Sequence, residues 1–191
     1  TGGYYEYLKI SEGCDKHCTY CIIPKVRGNY RSYPMDYIVK QAEQLAESGV
    51  KELILVGQEV TMYGVDLHKG RGKGKKRLAE LISKLAKVEG IEWIRLLYCY
   101  PEEIDNDLIE AMRTEPKVVR YIDMPVQHVS DSILHMMGRN MTESKILKTI
   151  KKLRNAMPDI CIRTTLITGF PGETEYDFNV LKDFVNEQYI D

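Results

Sequence analysis

The sequence has almost no surplus charge, few of the largest aromatics and no long apolar run, and each shortage removes a class of protein. Its 27 Lys and Arg offset 28 Asp and Glu, and the net charge of −1 lacks the basic excess that a phosphate-binding domain carries. Only one Trp and three Phe are present, so the apolar core must come mainly from aliphatic side chains. No segment approaches the roughly 20 apolar residues of a membrane span, and no leader pattern is visible. Cysteine is sparse too, five in 191 residues, which is not the density of a disulfide-stapled secreted domain and fits a reducing cytoplasm. The length suits one sizeable domain, taken as 1–191, with a real core. The chain opens on Thr1 and closes on Tyr189-Ile190-Asp191 without a cap or tail, and is read as an excised piece.

What is present in concentration is a short stretch, Glu12-Gly13-Cys14-Asp15-Lys16-His17-Cys18-Thr19-Tyr20-Cys21. Three thiols this close point to a metal. Disulfide pairing would leave one thiol over, and a tetrahedral zinc site needs a fourth ligand that the spacing does not supply. A zinc knuckle recruiting His17 or a remote residue is the competing reading. Three thiolates suit an iron–sulfur cube with one open iron, since such clusters are usually held by four.

Around this stretch, periodicity predicts alternating strands and helices. Strands are expected at Tyr4–Ile10, Lys51–Val56, Trp93–Tyr100, Tyr121–Val126 and Ile160–Gly169. Helices are expected from Pro34 to Gly49, around Leu78–Leu85 and Leu108–Met112, over Ser130–Met137 and Thr142–Met157, and after a Thr174-x-x-Asp177 capping box, with Phe178, Leu181, Phe184 and Val185 facing inward. Five such units predict an α/β fold with a parallel sheet and right-handed crossovers. In such sheets chemistry gathers at the carboxyl ends of the strands, where the cysteine stretch, Gly57-Gln58-Glu59, Tyr100-Pro101, Gln127-His128 and Gly169-Phe170-Pro171-Gly172-Glu173 all fall. Cys99 and Cys161 stand alone in expected strands and read as packing residues. The cationic segment from His68 to Arg77 is a candidate contact for an anionic partner such as ribosomal RNA, weighed against a solvated insertion.

The Cys-x3-Cys-x-aromatic-Cys spacing resembles the cluster loop of the radical S-adenosylmethionine (radical SAM) enzymes. That resemblance implies an open partial (β/α) barrel of parallel strands lacking its sixth unit, with an exposed edge. It also implies that Cys14, Cys18 and Cys21 hold a [4Fe–4S] cluster whose open iron chelates SAM. Tyr20 would lie against the SAM adenine, Gln58 and Glu59 would meet the methionine ammonium, and Gly169 would let the fifth-strand backbone pass along the adenine. Arg163, if it points into the barrel, would need an anion such as the SAM carboxylate. The reaction implied is electron donation to SAM, yielding a 5′-deoxyadenosyl radical.

Within the superfamily the chain resembles the methylthiotransferases. Ser11-Glu12-Gly13-Cys14, Leu97-Tyr98-Cys99-Tyr100-Pro101 and Asp123-Met124-Pro125-Val126-Gln127-His128-Val129-Ser130-Asp131 look like the ribosomal-protein branch, which modifies the β-carbon of an aspartate in a small-subunit protein. The tRNA-modifying branch is the alternative. The same resemblance implies an electron donor such as flavodoxin or ferredoxin. It further implies a second [4Fe–4S] cluster in an amino-terminal domain and a small carboxy-terminal RNA-binding-like domain, neither within these residues.

Overall fold

The computed structural model describes residues 3–68, 74–187 and 189–191. In chain order it comprises β1 (Tyr5–Lys9), β2 (Ser11–Glu12), α1 (Ile23–Arg27), β3 (Arg31–Ser32), α2 (Met35–Glu47), β4 (Glu52–Val56), α3 (Leu78–Leu85) and β5 (Trp93–Leu96). A 3-10 turn at Pro101–Glu103 follows, then α4 (Asn106–Thr114), β6 (Val118–Asp123), α5 (Asp131–Met136), α6 (Glu143–Ala156), β7 (Cys161–Arg163) and α7 (Glu175–Asn186). The main sheet has five strands in the order β1-β4-β5-β6-β7, every pair parallel. This is the arrangement expected of an incomplete barrel. The expected bare edge beyond β7 is met by Asp191, whose amide donates to the Ile162 carbonyl at 3.0 Å and whose Oδ2 accepts from the Ile162 amide at 2.8 Å.

The register decides which face is core. Leu8, Leu55 and Leu96 fall in one row across β1, β4 and β5, and all three are buried. Tyr5, Glu52 and Trp93 form another row, in which Tyr5 and Trp93 are half exposed. The aliphatic rows are covered by the apolar stripes of the helices, including Ile38 and Ala42 of α2, Leu81, Ile82 and Leu85 of α3, and Ile146, Ile150 and Leu153 of α6. No helix among the described residues is long and apolar enough to cross a membrane.

The strands stop earlier than the apolar runs suggest. β5 ends at Leu96 rather than Tyr100, because Tyr98 takes φ 59°, outside the extended region. The fourth main strand runs Val118–Asp123 rather than Tyr121–Val126, ending two residues before Pro125, which has no N–H for a ladder. β7 is only three residues long. Its successor Thr164 turns its hydroxyl to the neighbouring strand, donating to Met124 O at 2.9 Å and accepting from Val126 N at 3.2 Å. Pairing resumes at a single bridge between Gln127 and Leu166. On α7, Leu181 and Phe184 are buried as expected, but Phe178 and Val185 are exposed.

Of the cationic segment, residues 69–73 lie outside the described ones. Three of its basic side chains have partners within the fold, Lys75 with Asp107, Lys76 with Glu103 and Arg77 with Glu80.

Candidate functional site

The cysteine stretch leaves the end of β1 and returns through a narrow neck. β2 and β3 pair antiparallel there, Ser11 opposite Ser32 and Glu12 opposite Arg31, and the Cys14 amide donates to Gly28 O at 3.2 Å. Gly13 makes the neck possible. It has φ 76°, and a Cβ at this position would stand 2.2 Å from Asn29 O, so no side chain is accommodated. The Gly13 amide in turn donates to Gln58 Oε1 at 2.7 Å. Gln58, expected at the SAM ammonium, therefore has its amide oxygen engaged in holding the cysteine stretch to the end of β4.

The far side of the stretch rests on the end of α5. Thr19 donates through its amide to Met137 O at 3.0 Å and through its hydroxyl to Met136 O at 2.9 Å. A Cβ on Gly138 would come within 3.1 Å of His17 O, so α5 abuts the stretch directly. Lys16 ties it to the 3-10 turn, with Nζ 2.5 Å from Glu103 Oε1 and 3.5 Å from Glu102 Oε1. No local pattern marked this platform, because its members are separated by more than 80 residues from the loop they hold.

Cys14 and Cys18 are buried and Cys21 is half buried. Burial pushes the Cys14 thiol up, opposed by the Lys16 amide and reinforced by Glu59 and the other two cysteines; metal coordination would reverse such a shift. Among the described residues no three His, Cys, Asp or Glu side chains converge on one point as ligands of a single ion must, whereas cysteines that each bind a different iron of a cluster need not. Cys99 is buried, as expected of a packing residue, while Cys161 is exposed: its neighbour Ile162 takes the core-facing position on β7.

Glu59 is the most unusual charged group. Its side chain is 1% exposed. Oε1 accepts from the Thr61 hydroxyl and from the Thr61 amide at 2.9 Å, and Oε2 has no partner among the described residues. Burial pushes this carboxyl up to about 8, against the hydrogen bonds of Thr61 and the charge of Lys16. Glu59 shares with Cys14, Lys16, Tyr30, Asp66 and Glu103 the lining of a cavity of about 500 Å³. Cys18, Tyr20 and Cys21 line a second hollow of about 360 Å³. Gln58 lines a third, of about 320 Å³, beside Tyr7, Lys9 and Tyr98.

Tyr20 meets Phe170 edge to face with centroids 6.4 Å apart, so the cysteine stretch and the Gly-Phe-Pro-Gly-Glu turn are neighbours. Gly169 has φ 73° with open space where a Cβ would lie. The turn is fixed from behind. Asp177 accepts from Ser130 Oγ at 2.5 Å, Ser132 Oγ at 2.6 Å and Thr174 Oγ1 at 2.6 Å, and these bonds hold its carboxyl well below the usual range. Arg163 does meet an anion, but a protein carboxylate: Nη1 is 2.7 Å from Asp123 Oδ1, with the arginine side chain 56% exposed. Its exposure follows the strand alternation that buries Ile162.

One charged residue was not among the sequence candidates. Arg139 is 4% exposed; its Nη2 donates to Pro125 O at 3.1 Å, and Nε and Nη1 have no partner among the described residues. Nothing in the sequence around it, Gly138-Arg139-Asn140, distinguishes it from a surface arginine.

Residues 8–185 match the family described as the radical SAM superfamily. The chain is 58% identical, over 98% of its length and 41% of the relative's, to a protein of Lachnoclostridium phytofermentans named ribosomal protein uS12 methylthiotransferase RimO. It is 53% identical, over its whole length and 42% of the relative's, to the protein of that name from Clostridium acetobutylicum. The chain thus spans about two fifths of the curated relatives it matches. Among solved structures, the radical S-adenosylmethionine methyltransferase TsrM of Kitasatospora setae, with tryptophan and a SAM analogue bound, superposes with a TM-score of 0.75 at 16% identity, covering 97% of this chain and 34% of that one.

Proposed function

This chain belongs to the radical SAM superfamily, and we propose that it is the catalytic core of a methylthiotransferase that modifies an aspartate β-carbon in ribosomal protein uS12. Sequence identity of 51–58% to proteins of that name supports the reaction and the substrate. The observation that carries the cofactor assignment is the conjunction of three neighbouring cysteines with Glu59, which lines the same cavity as Cys14 and whose buried Oε2 has no partner among the described residues.

In this reading Cys14, Cys18 and Cys21 hold a [4Fe–4S] cluster, which when bound supplies the electron that cleaves SAM. The residues around it position and exclude. Glu59 offers a buried carboxylate to a cationic group; an ammonium there would compensate the charge that burial now penalises. Tyr20 and Phe170 present two aromatic surfaces to an adenine, and Gly169 leaves open space for it beside the backbone. Gln58 braces the cysteine stretch through Gly13 and retains its NH₂ group for a ligand. Arg163, already paired with Asp123, would serve SAM only by leaving or sharing that carboxylate. The uS12 segment would approach the uncovered rows of the sheet. An electron donor of the flavodoxin or ferredoxin class, a second cluster on an amino-terminal domain, a carboxy-terminal RNA-binding-like domain and a ribosomal RNA contact through residues 68–77 complete the proposal, acting in the cytoplasm.

Anaerobic reconstitution with iron and sulfide, reduction in the presence of SAM and assay of 5′-deoxyadenosine test the core. Product is expected from the parent chain and not from Cys18→Ala. Stoichiometric zinc with no iron–sulfur chromophore would overturn the assignment.

A further inference from the structure

Arg139 is a cation without enough partners. Burying a guanidinium is costly unless anions or acceptors meet its N–H groups, and among the described residues Nη2 donates to Pro125 O while Nε and Nη1 find no acceptor, with Glu102 Oε2 3.7 Å from Nη2. Its guanidinium carbon sits 4.4 Å from the centre of the Tyr100 ring, and Lys16 Nζ is 5.4 Å from the same ring. Two cations therefore lie against one phenol ring, and their attraction to it holds the ring in place. The Tyr100 hydroxyl lies 3.9 Å from Cys18 Sγ.

In the free thiol either atom can donate. A cysteine that ligates iron is a thiolate and can only accept, whereas a tyrosine at neutral pH carries its proton. The direction of this contact is therefore fixed as soon as Cys18 becomes a ligand. Hydrogen bonds to cluster sulfurs and nearby positive charge both favour the reduced, more negative state, and are among the factors that set cluster potential.

We propose that Tyr100, held in place by Arg139, donates a hydrogen bond to the Cys18 sulfur and raises the reduction potential of the cluster, with Arg139 adding positive charge behind it. Both are positioning residues. The inference rests on the cluster assignment above, and extends it to what governs how easily the cluster accepts its electron.

The test is an EPR-monitored redox titration of the anaerobically reconstituted chain without SAM, with iron and sulfide content and thermal unfolding measured alongside. Tyr100→Phe removes one oxygen and keeps the ring. It should hold iron and sulfide at the parent level while the reduction equilibrium falls about tenfold, a shift of about 59 mV to lower potential for a one-electron couple. Arg139→Gln should shift in the same direction, and Arg139→Lys, which keeps the charge but not the planar fork, should recover part of it. Potentials indistinguishable from the parent in both Tyr100→Phe and Arg139→Gln would overturn the inference and leave the cluster assignment standing. So would loss of the cluster from a folded Tyr100→Phe chain, which would make the contact one of assembly. A parent chain that takes up no iron and sulfide would defeat both readings.

Discussion

Gly13 illustrates how one residue without a side chain sets the geometry of three with them. The backbone there is left-handed, a Cβ would stand 2.2 Å from Asn29 O, and its amide donates to Gln58 Oε1. Gly13→Ala must displace the β3 side of the neck or open the cysteine stretch. The left-handed conformation alone costs about 1–2 kcal/mol for an L residue, and the backbone clash adds to it, so a loss of at least about 2 kcal/mol is expected. Chemical denaturation of the apo chain would measure it. A matching fall in iron uptake on reconstitution would show that the neck, and not only global stability, is disturbed. A fully stable Gly13→Ala chain would mean that the neck yields without cost. Arg139 shows the other side of the residue scale: it is as tightly placed as Gly13, yet its burial depends on what α5, Tyr100 and Pro125 do together.

At the scale of elements, the capping box is the clearest case of local sequence dictating local structure. Thr174 Oγ1 accepts from the Asp177 amide at 3.3 Å, and Asp177 Oδ2 accepts from the Thr174 amide at 3.0 Å, so two free amides at the start of α7 are satisfied by two side chains within a four-residue span. Thr174→Ala should cost about 1 kcal/mol, and Thr174→Ser should restore most of it. In a chain of this size that corresponds to a fall in Tm of about 2–4 °C, readable by calorimetry. The same local logic made the five-stranded parallel sheet and its covering helices legible, because helical and strand periods recur over 4 to 14 residues in every one of these elements but β7 and need no distant partner. It failed where an element is made by its neighbours. β2 and β3 are two residues each and exist only because the chain folds back on itself. The early end of β7 depends on a Thr164 hydroxyl reaching β6's exit. The cysteine triad stands out as a candidate by its spacing, and Glu59 by the family resemblance together with its position after a strand. The Tyr100–Arg139 contact and the Ser130–Asp177 network were not, since each joins segments whose only relation is spatial.

The molecule as a whole carries two opposed responses to pH. Asp177 is held well below its ordinary range by hydrogen bonds from Ser130, Ser132 and Thr174, so its contribution is present above the unfolded value of 3.8 and is lost as pH falls through the folded one. Glu59 behaves in the opposite sense. Its folded value, about 8, lies above the unfolded 4.5. Between those limits the folded chain keeps a proton that the unfolded chain has released, and apo stability falls as pH rises. Glu59→Gln keeps the shape, offers the Thr61 donors an amide oxygen and removes the charge. It should flatten the slope between about pH 4.5 and about pH 8 and stabilise the apo chain at the alkaline end by up to a few kcal/mol, since one retained proton is worth about 1.36 kcal/mol for each pH unit crossed. Asp177→Asn should instead weaken the chain most at neutral pH and leave the Glu59 slope intact. Urea midpoints across this range separate the two. If Glu59→Gln leaves the slope unchanged, the Glu59 carboxylate is solvated or compensated in the apo chain. If it flattens the slope, the protein maintains an unfavourable buried carboxyl beside Cys14, a strain that a cationic ligand would relieve on binding.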